Sequence, residues 1–381
     1  MIVSILGANS LLGQHLIQYI QNSEKSSSKI VTWSYSSPFL SRLSGIDCSS
    51  IKHFTGIHSL REAVEQADIV YNLHEAQDLS LLPDEKQLQI HNVEFVHSLL
   101  SHIRCPLVHL SSVFVQCSSR WPNVYENEND GAKYQSQWPF PKYCSSKWEA
   151  EQIIAKAPVD ALIMRCVPAY GEGDTHSIVT DLIKCAGDGD VLSLGDGEAV
   201  VQMAYAGNLA AGLWSAVAIL MSDNESIRCD IDEVNLGEQT TDHSASTKKQ
   251  FIKETIILAD ETPKKNVFEL FKPLLMTGKR NIGRCHIPFL LICYIYYLFA
   301  WIVRVLSMVV TIPHCIRTLP HPSLGYFYFN HWTFFNTNKS RLLLNYLPKI
   351  DFQEALNRCQ MYYRRLQPQD IVSYSWNPST L

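Results

Sequence analysis

Tyr143 and Lys147 lie four residues apart in Tyr143-Cys144-Ser145-Ser146-Lys147, a spacing that puts a phenol and an ammonium on one face of a helix. Of 17 tyrosines this is the only one with Lys at that distance. Spacing alone decides nothing, because average lysine usage supplies roughly one such pair by chance. Context decides. Upstream, the apolar run Leu107-Val108-His109-Leu110 ends in Ser111-Ser112, and ligand-contacting groups emerge at strand C-termini in an open α/β sheet. Ser112, Tyr143 and Lys147 form a proton-transfer constellation; the alternative is a surface Tyr and Lys on an ordinary helix.

Such a trio suits oxidation of a secondary alcohol, in which the hydroxyl proton is removed while hydride leaves carbon for a nicotinamide. Tyrosine has a reference pKa of about 10, so a tyrosine base near neutral pH needs a fall of about 2–3 units, roughly 3–4 kcal/mol of preference for the phenolate. A lysine ammonium one turn away in a partly dry cleft supplies interaction of that order. In this reading Tyr143 is the base, Ser112 holds the substrate oxygen, and Lys147 also reaches the nicotinamide ribose.

The elements that would position these groups are legible. Residues 2–6 are a short β-branched and aliphatic run, followed by Gly7-Ala8-Asn9-Ser10-Leu11-Leu12-Gly13 and by Leu12, Leu16, Ile17 and Ile20 at helical spacing. Strand, glycine turn and helix let backbone N–H groups approach a pyrophosphate seated on the helix N-terminus. Gly7, Ser10, Leu11, Leu12 and Gly13 are the candidate cofactor loop; its alternative is a plain strand-to-helix turn. Further strands are expected at 29–33, 67–73, 106–111 and 161–165, with helices at about 58–66, 85–102 and 144–156. Alternating β and α predicts a doubly wound, Rossmann-type parallel sheet covered on both faces. The second strand ends Thr32-Trp33-Ser34-Tyr35-Ser36 with no carboxylate for the adenosine ribose, so NAD and NADP are both open, with Arg42 the nearby cation for a 2′-phosphate.

The chain has 381 residues, 46% apolar and 18% charged, with net charge −5, a globular composition without a basic block. That excludes a nucleic-acid protein, since phosphate binding needs clustered Lys and Arg. Eleven cysteines occur without a CxxC pair, which implies reduced thiols facing the cytosol. The pairs His15/Tyr19 and His97/His102 lack a third convergent ligand, so no metal is expected. Glu172 and Asp174 are read as loop charges, the cluster from Tyr326 to Phe335 as packing, with rings lining a flat apolar pocket as the alternative, and the polar stretch 237–265 as an exposed excursion.

From Ile287 to Val303 run seventeen residues without a charge, followed by Arg304 and Val305–Ile312. A spanning helix needs about 20 apolar residues. The run is apolar on all sides and carries Tyr294, Tyr296, Tyr297 and Trp301, aromatic residues favoured at a membrane interface. Membrane association is therefore expected, with Lys279, Arg280 and Arg284 holding the preceding flank in the cytosol.

With these residues in place, the sequence resembles the 3β-hydroxysteroid dehydrogenase/isomerase family of extended short-chain dehydrogenases. The segment from Trp138 to Glu151 is similar to the family's Tyr-x-x-Ser-Lys-x-x-Ala-Glu, Met164–Asp174 to its Leu-Arg-Pro-x-x-x-Tyr-Gly-x-Gly, Ala204–Ala210 to its Tyr-Val-x-Asn-Val-Ala, and Val234-Asn235-Leu236-Gly237 to its Tyr-Asn-Ile-x-Asp strand. Asn345-Tyr346-Leu347-Pro348 and Phe352–Leu356 are similar to its closing helix. Three departures fall in the cofactor half: Ser10 replaces a glycine, the Gly-Asp after the third strand is not found in Phe54–His58, and Phe95-Val96 replaces Gly-Thr after Asn92.

The resemblance implies a dinucleotide-binding domain at 1–170, a substrate-binding region at 171–286, a membrane-associating segment at 287–312 and a closing region at 313–381. It adds Asn92 to the cofactor contacts. It implies oxidation of a steroid 3β-hydroxyl with NAD or NADP, with or without Δ5–Δ4 isomerisation, on the endoplasmic reticulum membrane with a cytosolic catalytic domain, and leaves room for a homodimer. A closing region that packs on the catalytic domain conflicts with a crossing at 287–303, which favours a segment lying in one leaflet with Arg304 snorkelling. Two alternatives stand: a sterol 4-carboxylate 3-dehydrogenase, and a non-catalytic NAD(P)-binding scaffold. A sugar-nucleotide 4,6-dehydratase is disfavoured, because Val113-Phe114 stands where those enzymes place Asp-Glu.

Overall fold

The computed structural model describes residues 1–23, 28–120, 122–186, 189–193, 198–221, 251–276, 282–284 and 288–366. Its centre is a seven-stranded parallel sheet built from β1 (Ile2–Leu6), β2 (Lys29–Ser34), β3 (Ile51–Thr55), β4 (Ile69–Asn72), β5 (Leu107–Ser112), β6 (Ala161–Cys166) and β7 (Lys253–Leu258). The spatial order is 7-6-5-4-1-2-3. Strand order reverses between β1 and β4, and ligands of such sheets bind in the crevice at that switch point. Every residue of β4, β5 and β6 is buried, as a sheet covered on both faces requires.

The glycine turn leads from β1 into helix α1 (Leu11–Asn22), whose expected apolar stripe Leu12, Leu16, Ile17 and Ile20 is buried. Helix α2 (Pro141–Lys156) starts with proline at its first position, where the missing N–H is harmless, three residues earlier than its periodicity suggests. The helix expected at 85–102 is broken into Glu85–Leu88, a widened π turn Gln89–Glu94 and Phe95–His102; the turn carries the inward-facing Asn92. That expected at 58–66 shortens to Leu60–Val64.

One expectation is overturned in part. The stretch 237–265 is not wholly an exposed excursion, because β7 pairs with β6 from Lys253 to Leu258 and buries Ile256, Ile257 and Leu258. The sheet is thus completed from beyond residue 170. Residues 237–250, the family-like run Val234–Gly237, and Lys279 and Arg280 lie outside the described residues.

The apolar run forms helix α3 (Phe289–Leu306), which buries Phe289, Ala300 and Val303 and leaves Leu290, Tyr294, Leu298 and Trp301 more than half exposed. The chain then returns to the catalytic side. Strand Trp332–Phe335 pairs with Asn123–Glu126 and Val200–Val201. Tyr346 donates its hydroxyl to the carbonyl of Asn208 at 3.0 Å, and helix α4 (Phe352–Arg365) buries Tyr363 against the loop after β6.

Candidate active site

Gly7 leaves β1 with φ +78°, a left-handed conformation, and a Cβ there would come within 2.7 Å of the Leu73 and His74 backbone. Gly13 is needed for a different reason: its Cβ would lie 2.5 Å from the Gly7 carbonyl, so α1 could not start against the loop. Ser10 caps α1, its hydroxyl accepting from the Gly13 N–H at 3.1 Å. Gly7, Ser10, Leu11 and Leu12 line a cleft that continues past Glu75 and Leu110 to Ser112 and Tyr143, then to Val167, Asp174, Ile178 and Tyr328. It holds about 1430 Å³ of open space including its mouth. Gly13 packs against the Gly7 carbonyl and is not among the described residues that line the cleft.

The glycine loop and the helix end beneath it fit a pyrophosphate, and Ser10 Oγ, an acceptor at the cap, keeps its own hydrogen to donate. Behind the glycine turn lies a cluster of rings. Tyr35 stacks on His74 at 5.7 Å, Trp33 stacks on Phe95 at 5.1 Å, and His74 Nε2 lies 3.1 Å from His91 Nδ1. Burial pushes both imidazoles down, His91 to about 4, so they are neutral at physiological pH. Arg42 turns toward the cleft, within 3.4 Å of Thr175 Oγ1.

Ser112, Tyr143 and Lys147 are brought together as expected. The Ser112 hydroxyl, at the end of β5, accepts from the Phe114 N–H at 3.3 Å and bonds the phenol. Lys147 lies one turn beyond Tyr143 on α2, is 1% exposed, and donates to the Leu110 carbonyl at 2.6 Å.

Between Tyr143 and Lys147 stands a group that sequence reasoning missed. Oε2 of Glu75, in the loop after β4, lies 2.9 Å from Lys147 Nζ and accepts the Tyr143 hydroxyl at 3.0 Å. The ammonium is ion-paired with this carboxylate, so it faces Glu75 as well as the phenol. Burial first, then the Glu75 charge, hold the Tyr143 phenol well above its usual range, with only the Ser112 bond pulling down. Tyr143 is a neutral donor here. The signal was present in Leu73-His74-Glu75-Ala76, a lone acid just after a strand end, where this fold collects ligand groups.

Asn92 is buried and is not among the described residues that line the cleft. Its amide donates to the Ala76 carbonyl at 3.0 Å and to Ser146 Oγ at 2.8 Å, and its Oδ1 accepts the Ala76 N–H at 2.7 Å. It ties the loop bearing Glu75 to the helix bearing Tyr143. Asp174, expected as a loop charge, is 1% exposed and lines the cleft, accepting from Tyr363 at 2.7 Å and from Ser177; burial pushes it up to about 6. Glu172 accepts the Tyr205 hydroxyl at 2.9 Å.

Residues 3–227 match the model of the NAD dependent epimerase/dehydratase family. No curated protein matches the chain. Among solved structures, UDP-glucuronic acid 4-epimerase from Bacillus cereus, in complex with UDP-glucuronic acid and NAD, superposes with TM-score 0.61 at 16% identity, covering 96% of this chain and 99% of that one. MoeE5 in complex with UDP-glucuronic acid and NAD gives 0.60 at 14%, covering 96% and 99%. The dTDP-glucose 4,6-dehydratase from Bacillus anthracis in complex with NAD gives 0.57 at 15%, covering 96% and 97%. At such identities the likeness is one of fold.

Proposed function

The chain belongs to the NAD dependent epimerase/dehydratase family, and we propose that it is an NAD-dependent oxidoreductase whose substrate is a steroid or sterol, its 3β-hydroxyl oxidised to a ketone. The observation that carries this reading is the lining of the cleft beyond Tyr143. Leu79, Phe114, Val167, Ile178, Leu324 and Tyr328 give it apolar walls, beside a polar stretch that includes Gln77, Asp174, Thr175, His176, Ser177 and Asp181, and Arg42 is the single Lys or Arg among the described lining residues. A flat neutral ring system suits those walls.

Helix α3 supports the same substrate. The helix Pro322–Phe329, which supplies Leu324 and Tyr328, packs against α3 through Phe289 on Phe329 at 6.0 Å and Tyr297 Oη 3.2 Å from Ser323 Oγ. With α3 lying in one leaflet of the endoplasmic reticulum membrane and the catalytic region in the cytosol, an apolar substrate passes from lipid into the cleft without crossing water.

Bound NAD supplies the hydride acceptor. Ser112 and the Tyr143 hydroxyl hold the substrate oxygen, Lys147 fixes Glu75 and the Leu110 carbonyl, and the apolar walls exclude water. The test is incubation of the protein with NAD and a panel of 3β-hydroxysteroids, including 4-carboxysterols. Reduced cofactor with a ketone product is the expected result, and product mass separates plain oxidation from oxidation with loss of carboxylate. Absence of turnover across the panel overturns the steroid reading.

A second reading, a nucleotide-sugar epimerase, is favoured by the neighbours that carry UDP sugars. UDP-glucuronic acid in the same assay separates it. Calorimetry with NAD distinguishes both from a scaffold that binds cofactor without turnover.

A further inference from the structure

Glu75 occupies a position that the trio of Ser112, Tyr143 and Lys147 leaves without a role. We propose that Glu75 is the positioning and proton-accepting residue behind Tyr143, so that oxidation runs by a two-proton relay with no free phenolate. The inference rests on the proposed alcohol oxidation. In the forward step the substrate O–H proton moves to Tyr143 Oη while the phenol's own proton moves to Glu75 Oε2. The carbinol C–H bond breaks with its electron pair going to NAD, and the carbon–oxygen double bond forms.

The geometry supplies each link. Glu75 Oε2 lies 3.0 Å from the Tyr143 hydroxyl and 2.9 Å from Lys147 Nζ, and it lines the cleft at a side-chain exposure of 22%. Lys147 is 1% exposed and donates to the Leu110 carbonyl, so the carboxylate faces an ammonium held in place. Glu75 itself is held from behind, because the neighbouring Ala76 is clamped at both its N–H and its carbonyl by Asn92. The other titratable groups facing this centre are Cys144 on α2, Cys166 at the end of β6, His74 beside Glu75 and His109 on β5. Burial keeps all four neutral, the thiols protonated and the imidazoles unprotonated. Glu75 is therefore the one described carboxylate against the phenol. A proton handed to it leaves the strongly disfavoured phenolate unformed.

The relay is tested in two ways. The pH profile of alcohol oxidation is compared between wild type and Glu75→Gln. Loss of the acceptor is expected to lower the rate at neutral pH by at least tenfold, with recovery toward alkaline pH at one log unit per pH unit as Tyr143 itself ionises. A wild-type rate and an unshifted profile overturn the relay. The second measurement needs neither substrate nor NAD. Ultraviolet phenolate titration of Glu75→Gln, minus that of Glu75→Gln/Tyr143→Phe, isolates one tyrosine, expected to ionise at lower pH than in the wild-type minus Tyr143→Phe difference.

Should Glu75→Gln unfold because it strands the Lys147 ammonium, Glu75→Asp keeps the counter-ion and retracts it from the phenol; the same titration shift, smaller, is then expected. An unchanged titration in the folded variant overturns the inference. A shifted titration with no steroid turnover by wild type upholds the coupling of Glu75 to Tyr143 and overturns the steroid reading alone.

Discussion

Tyr363 donates its hydroxyl to Oδ2 of Asp174 at 2.7 Å across 189 residues of chain, and its oxygen accepts the Gly171 N–H at 3.1 Å. The C-terminal helix therefore holds the loop that forms one wall of the cleft. Tyr362 adds a bond to the Asp174 carbonyl. Tyr363→Phe keeps the ring and leaves a buried carboxylate and a buried N–H short of one partner each. The expected cost is about 1–3 kcal/mol, read as a lower denaturation midpoint at unchanged slope.

Asp174 makes that wall pH-sensitive. Its folded value is raised to about 6 from the ordinary 3.8, so the folded state binds its proton more tightly than the unfolded chain does. The stabilisation is fully present below the unfolded value and is lost as pH rises through about 6. A rise of this size corresponds to about 3 kcal/mol. Asp174→Asn abolishes this term. The stability difference between variant and wild type is therefore expected to move in the variant's favour between about pH 4 and pH 6, and to be flat above, in urea titrations.

Much of the catalytic frame was legible in the sequence because it is local. β1, the glycine turn and α1 are continuous in the chain, and Tyr143 and Lys147 are paired by helix geometry alone. The missed features depend on distant partners. β7 begins Lys253-Glu254-Thr255, a polar opening that reads as loop until β6 is set beside it. Glu75 is 68 residues from Tyr143, and no periodicity announces that the two meet. The Tyr/Lys spacing carries no sign of the carboxylate that pairs with the ammonium. Nor does it show that the side-chain polar atoms of Asn92 bond Ala76 and Ser146.

Tyr143→Phe separates binding from chemistry. The phenol touches the cleft with its hydroxyl, and its ring is packed in the core, so the variant keeps the shape and loses the proton path. Turnover is expected to fall by about 10²–10⁴. NAD affinity by calorimetry is expected to change less than about twofold, since the glycine loop is untouched. Gly7→Ala gives the opposite pattern, with cofactor affinity lost through the strained turn and its contact with the Leu73 backbone.

The sheet is anchored to α2 by a buried charge pair. Arg165 Nη2 lies 2.7 Å from Glu151 Oε2, both side chains are 3% exposed, and Nη1 donates to Gln116 Oε1 at 3.0 Å and to the Glu128 carbonyl at 2.6 Å. Glu151→Ala strands the guanidinium inside the protein. A cost of about 3–5 kcal/mol is expected. Arg165→Met with Glu151→Leu removes both charges together and is expected to recover most of it, as measured by urea denaturation.

Helix α3 is the segment through which the proposed membrane association would act. It is apolar enough and, at 18 residues, long enough to be a candidate span, and only 22% of it is buried. A crossing would carry the following chain to the far side, yet Tyr296 donates to the Pro320 carbonyl at 2.6 Å, and Tyr363 beyond it reaches Asp174 on the catalytic side. These contacts are what a crossing would break, so the proposed placement is a helix lying in one leaflet. Wild-type protein is expected to float with phosphatidylcholine vesicles. Leu298→Glu with Ile302→Glu, at positions 52% and 43% exposed, is expected to reduce partitioning at least tenfold with an unchanged denaturation midpoint. In sealed microsomes the segment after Leu306 is expected to be cut by external protease together with the catalytic region; protection of that segment alone would establish a crossing and contradict the packing of α4.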